Sequence, residues 1–140
     1  MKFSEIIKLC RVHQWVKNGF IFLPAFFGQA LTTDIAGSLL LGFLCFSILA
    51  SAVYIFNDII DAPVDRLHNE KKSRPIAAGT IGIRTASGLA SGLIIGSLVG
   101  AFLIDRLFLA ACIVYLIQNI LYSAWLKKFA LIDITIVSLG

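Results

Sequence analysis

Three stretches of this chain, Ile35 to Asn57, Thr85 to Ile104 and Leu107 to Leu126, contain no Asp, Glu, Lys or Arg. Each is about 20 residues or longer, roughly 30 Å as helix, which matches the hydrocarbon thickness of a bilayer. A fourth apolar stretch, Asn18 to Leu31, is shorter and carries Pro24. It spans if Trp15 and Lys17 sit at headgroup level, the lysine snorkelling. The expectation is an all-α, polytopic transmembrane helical bundle, with four full membrane helices and the start of a fifth. Composition agrees, since 59% of the residues are hydrophobic and 14% charged, with mean hydropathy +0.91, far from the balance of a soluble globular domain.

The first seventeen residues hold four basic groups and no uninterrupted apolar core, so no cleavable signal peptide is expected. Cys10, Cys45 and Cys112 are odd in number and far apart, two of them inside expected spans, and read as apolar filler.

The basic residues set an orientation. Lys2, Lys8, Arg11 and Lys17 precede the first expected span; Arg66, Lys71, Lys72, Arg74 and Arg84 lie between the second and third; Lys127 and Lys128 follow the fourth. Eleven of the twelve basic residues thus fall on one side, and only Arg106 on the other. The positive-inside rule places the N-terminus and the long second loop in the cytoplasm of a bacterial-type inner membrane. The net charge of +4 is then topological, and nucleic acid is not an indicated partner.

Read along its length, the chain forms a single transmembrane domain over residues 1–140. Within 1–17, apolar residues (Phe3, Ile6, Ile7, Leu9, Cys10, Val12) alternate with charges at helical spacing, the pattern of an interfacial amphipathic helix. The loop of 62–82 is long enough to be functional. Gly88, Gly92, Gly96 and Gly100 recur every fourth residue in the third span, a groove expected to admit a neighbouring helix.

The residues that carry chemistry sit where the second span ends. On a helix, Asn57, Asp58, Asp61 and Asp65 fall within roughly a 100° arc, so three carboxylates and an amide share one face. Acids there also oppose the helix macrodipole, so they need a counter-charge. A hard divalent cation is the natural one, and Mg²⁺ prefers few carboxylates plus water and substrate phosphates. The bland alternative is that the acids mark the helix exit, balanced by Arg66 and Lys71. Pro63 is expected to break or kink the chain between Asp61 and Asp65, leaving Asp65 on the loop. Downstream, Lys71, Lys72 and Arg74 are placed to grip phosphate oxygens. Tyr122 and Trp125 read as interfacial belt residues and Lys127 as an anchor, and Asp133 opens the next apolar run with Lys127 or Lys128 as its local partner.

Together these stretches resemble the UbiA superfamily of intramembrane prenyltransferases. Asn57-Asp58-Ile59-Ile60-Asp61-Ala62-Pro63-Val64-Asp65 matches its first aspartate motif, NDxxDxxxD. Gln14-Trp15-Val16-Lys17-Asn18, Arg74-Pro75-Ile76-Ala77-Ala78-Gly79, and Tyr122-Ser123 followed by Leu126-Lys127 are similar to its decaprenyl-phosphate phosphoribosyltransferase branch. The resemblance implies Mg²⁺-dependent transfer at the cytoplasmic membrane face between 5-phosphoribosyl diphosphate and a polyprenyl phosphate. Asp58, Asp61 and Asp65 would hold the metal; Asn57, Arg66, Lys71 and Arg74 would bind substrate; Lys17, Tyr122 and Lys127 would line the same mouth, with Asp58, Asp61, Tyr122 and Lys127 nearest the chemistry. Other readings are an aromatic polyprenyltransferase of the 4-hydroxybenzoate type and, from another class, a non-catalytic membrane module or Mg²⁺ transport; transport predicts mid-membrane ionisable residues, which this sequence lacks.

The resemblance also implies about nine membrane helices and a second acidic motif. From Phe129 to Gly140 is about 18 Å of helix, too short to cross. The chain is therefore expected to be the N-terminal half of such a fold, to need a C-terminal half as partner, and to be inactive alone.

Overall fold

The computed structural model describes residues 3–28 and 32–126. Expectations for Lys127, Lys128, Asp133 and a fifth helix lie outside the described residues. Within them the elements are α1 (Phe3–Leu9), a 3₁₀ segment (Val12–Phe22), α2 (Leu23–Phe27), α3 (Thr33–Asp65), a 3₁₀ turn (Lys71–Ser73), α4 (Ile83–Ile104), α5 (Arg106–Leu121) and a π turn (Tyr122–Leu126). Among the described residues there is no strand, and three helices, α3, α4 and α5 with its π turn, are long and apolar enough to cross a membrane.

The stretch expected as a first membrane helix differs. Its described part, 18–28, is built as the end of a 3₁₀ helix and a short α-helix that begins where Pro24 can sit in the first turn without losing a bond. It nonetheless runs antiparallel along α3. Trp15 Nε1 donates to Ser51 Oγ (2.9 Å), Asn18 Nδ2 donates to Ser47 Oγ (3.0 Å), and the Phe22 ring meets that of Phe43. A 3₁₀ helix rises about 2.0 Å per residue against 1.5 Å for an α-helix, so the five 3₁₀ residues of this apolar stretch, 18–22, add only about 2.5 Å of reach.

The N-terminal helix also stops earlier than the alternation suggests. Leu9 is fully buried, and Arg11 takes a left-handed backbone (φ 49°) that turns the chain onto α3. Helix α1 then lies across the loop after α3, with Lys8 Nζ donating to the Ser73 carbonyl (3.2 Å) and Thr80 Oγ1 to Glu5 Oε2 (3.2 Å).

Helix α3 is the hub, packing against α1, the 3₁₀ segment, α4, α5 and the π turn. It continues through Pro63 to Asp65, against the expected break. Proline removes its own N–H and crowds the carbonyl four residues earlier, but nothing stops the next turn from closing, and Arg66 N–H still reaches the Ala62 carbonyl (3.2 Å). Buried Ala62 and Asp65 hold that turn in place. The expected loop therefore begins later, and it is folded: Ala78 N–H bonds the Arg74 carbonyl (2.8 Å), Gly79 supplies a left-handed residue (φ 75°), and Ile81 N–H bonds the Pro75 carbonyl (3.2 Å). Ile76 and Ile81 are driven into a core with Leu9, Ile55, Ala62, Ala86 and Ala90, directly beside the end of α3.

Asp105 joins α4 to α5, its side chain accepting from Leu107 N–H (2.8 Å) and Phe108 N–H (3.0 Å), an N-cap worth about 1 kcal/mol. The face of α4 that meets its neighbours carries Ala86, Ala90, Ser97 and Ala101, and Ser97 Oγ donates to the Cys45 carbonyl (2.7 Å). The glycine groove expected to make this contact points elsewhere. Among the described residues, a Cβ at Gly88, Gly92 or Gly96 would meet nothing within 4 Å; of the four, Gly100 alone is in close approach to them, since a Cβ there would lie 2.6 Å from Cys45 Sγ. A four-residue repeat drifts by about 40° per step on an α-helix, so the stripe reaches α3 only at its last member.

Candidate functional site

Because α3 stays helical to Asp65, residues 58 and 65 are seven apart, two turns, and their side chains leave the same face. Both are buried, each at 3% exposure. Arg74, from the folded loop, donates through the same nitrogen, Nη1, to Asp65 Oδ2 (2.7 Å) and Asp58 Oδ1 (3.2 Å). A second guanidinium extends the network: Arg11 Nη2 donates to Asp58 Oδ1 at 2.5 Å, and its Cζ lies 4.8 Å from the centroid of the Tyr54 ring. Two carboxylates are thus matched by two arginines in a partly desolvated setting, where charges must be paired.

The left-handed turn at Arg11 aims its side chain back at α3, while Arg74 is aimed by Pro75 and the hydrogen-bonded turn that follows. On the other flank, Ser123 in the π turn is buried and its Oγ bonds the Asn57 side chain, with Asn119 O also in range (2.7 Å). π turns insert an extra residue into a helix and recur at functional sites.

Of the residues expected at the site, Asn57, Asp58, Asp65 and Arg74 are brought together. Asp61 lies between the two buried aspartates on α3 and is half-buried. Tyr122 is exposed on the π turn beside Ser123. Arg66 and Lys71 are exposed, Arg66 closing the last turn of α3 and Lys71 starting the 3₁₀ turn. Lys17 is placed differently: it sits between the Trp15–Ser51 and Asn18–Ser47 contacts, roughly 15 Å along α3 from Asp58, and lines an apolar cavity of about 360 Å³ with Phe20, Ile21, Phe46 and Phe108. Lys127 lies outside the described residues. Arg11 and Ser123 join the site without being expected there. Ser123 stands next to an expected site residue, Tyr122, whereas Arg11 has no local signal, since its partner is 47 positions away.

The donor chemistry suits a hard divalent ion: two carboxylates within reach of one bridging group, with an amide beside them. Here the guanidinium of Arg74 takes that bridging position. Among the described residues, no three His, Cys, Asp or Glu side chains lie together as a ready-made metal cage.

A second cavity, about 310 Å³, lies on the same end of α3, lined by Val53, Phe56, Ile59, Ser91, Ile94 and Ile120. Its walls are mostly apolar, with Ser87 and Ser91 among them, and it lies between α3, α4 and α5 on the face of α3 away from Asp58.

Residues 20–140 match the model of the UbiA prenyltransferase family. The chain belongs to that family. It is 35% identical over 140 residues to the decaprenyl-phosphate phosphoribosyltransferase of Mycobacterium tuberculosis, an alignment covering 96% of this chain and 46% of that protein. It is 40% identical over 130 residues to the uncharacterized protein y4nM of Sinorhizobium fredii, covering 91% of this chain and 25% of the relative. The nodulation protein NoeC of Azorhizobium caulinodans is 28% identical over 137 residues, 97% of this chain and 44% of that protein. The chain thus spans less than half the length of these relatives. As a UbiA family member with three apolar helices of membrane-crossing length, it is an integral membrane protein.

Proposed function

We propose that this chain provides the diphosphate-binding face of a UbiA-type transferase that joins a polyprenyl phosphate to the sugar of 5-phosphoribosyl diphosphate, at the cytoplasmic side of a bacterial inner membrane. The observation that carries the reading is the convergence of Asp58, Asp65 and Arg74 at the end of α3. Acid and base alternate there in the way a metal–diphosphate complex requires, and the similarity to phosphoribosyltransferases favours this substrate over a prenyl diphosphate.

In the reaction, an oxygen of the lipid phosphate attacks the anomeric carbon, the bond from that carbon to the diphosphate breaks, and pyrophosphate leaves. Negative charge grows on the leaving group, so a fixed positive charge beside it stabilises the transition state more than the ground state. Asp58 and Asp65, with Asp61 and Asn57, are the residues that would hold Mg²⁺, which when bound supplies charge neutralisation on the diphosphate. Arg74 binds phosphate oxygens in a fork, with Lys71 and Arg66 at the exposed rim. Tyr122 and Lys127 complete the mouth. Lys17, farther along α3, serves the lipid path rather than the diphosphate.

Calorimetry on the chain in nanodiscs, with Mg²⁺, tests the substrate class. The reading expects 5-phosphoribosyl diphosphate to bind at least about tenfold more tightly than geranyl diphosphate, the range one well-placed set of polar contacts supplies. The reverse preference would replace it with the aromatic prenyltransferase reading.

A further inference from the structure

The ion pairs at the end of α3 form a chain of alternating charge, Arg11–Asp58–Arg74–Asp65. Asp58 accepts from Arg11 (2.5 Å) and Arg74 (3.2 Å), and Asp65 accepts from Arg74 (2.7 Å). Both aspartates are buried, while Arg11 and Arg74 keep about a quarter of their surface, at 25% and 27% exposure. The arginines are therefore the members that can move. Arg11 reaches the site from a left-handed backbone turn and Arg74 from a loop, whereas both aspartates are fixed on a helix.

A ligand arriving at this network faces a constraint set by charge alone. A diphosphate that draws the guanidinia away strands two buried carboxylates. A divalent cation that takes the carboxylates strands two guanidinia. Removing one partner of a buried pair is much more unfavourable than never having had the pair, because the remaining charge has lost water and partner together. When both ligands arrive, every charge is matched again, carboxylates to cation and guanidinia to phosphate oxygens.

We propose that Arg11 and Arg74 are a partner-exchanging pair: they neutralise Asp58 and Asp65 until diphosphate and divalent cation bind together, and they then transfer to the diphosphate. This rests on the proposed reading of the site as a diphosphate and cation site, and it assigns Arg11 as a second diphosphate-binding residue. Binding of the two ligands is positively coupled through the arginines, and the coupling is reciprocal. The arrangement also keeps the site from loading with cation alone, which would leave a positively charged mouth with no leaving group in it.

The test has a sign that a merely structural role does not produce. Mn²⁺ binding to the chain in nanodiscs is followed by the EPR signal of the free ion, without diphosphate, in wild type, Arg74→Gln and Arg11→Gln; pyrophosphate binding is followed by calorimetry with and without Mn²⁺. Removing either arginine frees carboxylate for the ion, so Mn²⁺ alone binds about tenfold more tightly to the variants than to wild type, while pyrophosphate in the presence of Mn²⁺ binds more weakly. Arg11→Gln leaves the Arg74 bridge in place and serves if Arg74→Gln does not fold. Unchanged or weaker Mn²⁺ affinity in a folded variant, with pyrophosphate and Mn²⁺ still binding wild type, overturns the exchange and leaves the site reading intact. Absence of pyrophosphate and Mn²⁺ binding to wild type overturns both.

Discussion

Ser123 and Asn57 are hydrogen-bonded through their side chains although 66 positions apart, fastening the end of α5 to the residue before Asp58. The Ser123 hydroxyl donates to Asn57 Oδ1, and Asn119 O (2.7 Å) also lies within its reach, so its one proton is shared between a side-chain and a backbone acceptor. Ser123→Ala removes the tie and is expected to lower stability by about 1 kcal/mol. Thermal unfolding in detergent measures this, and in an Asn57→Ala background the same substitution should have little further effect.

Arg74 holds two buried carboxylates at once, which makes its loss asymmetric. Arg74→Ala leaves Asp58 with Arg11 alone and strands Asp65, and is expected to lower stability by about 2 kcal/mol, below the 3–5 of a fully buried pair because Arg74 is a quarter exposed. Asp65→Asn in the same chain should recover part of that loss, since the stranded charge is gone. Denaturant unfolding of the single and double variants gives the comparison.

Much of this arrangement is legible in the sequence, for a physical reason. Spacing on a helix fixes direction, so the seven-residue separation of Asp58 and Asp65 is enough to put them on one face, and the uncharged stretches mark out α3, α4 and α5. What spacing does not carry is the partner across the fold. Arg11 meets Asp58 only because one residue adopts a left-handed turn, and nothing in Arg11-Val12-His13 announces that turn. The 3₁₀ form of Val12–Phe22 is hidden for a related reason, because it follows from packing along Ser47 and Ser51 rather than from local propensity. Pro63 shows the opposite error: a local rule predicts a break, and the burial of Ala62 and Asp65 outweighs it.

Pro63 is exposed, and its missing N–H leaves the Ile59 carbonyl without its helical donor. Pro63→Ala restores the donor and removes the ring clash, so circular dichroism should show helix content retained and the unfolding temperature should rise, equivalent to about 1 kcal/mol.

The glycines of α4 should separate by position. Gly100→Ala puts a Cβ against Cys45 Sγ and is expected to destabilise by about 1 kcal/mol or more, unless the thiol swings aside. Gly92→Ala and Gly96→Ala meet nothing within 4 Å among the described residues and should be neutral or slightly stabilising in the same unfolding assay.

On the proposed reading, the acids at the end of α3 act with the facing arginines to bind a diphosphate through a divalent cation. Equilibrium dialysis of radiolabelled 5-phosphoribosyl diphosphate against the nanodisc-embedded chain, with Mg²⁺ or with excess chelator, in wild type and Asp58→Asn, puts this to the test. Retention should require Mg²⁺ and fall at least about tenfold in the variant, as expected when a directly ligating carboxylate is lost. Retention that is equal with chelator, or equal in Asp58→Asn, would refute the reading.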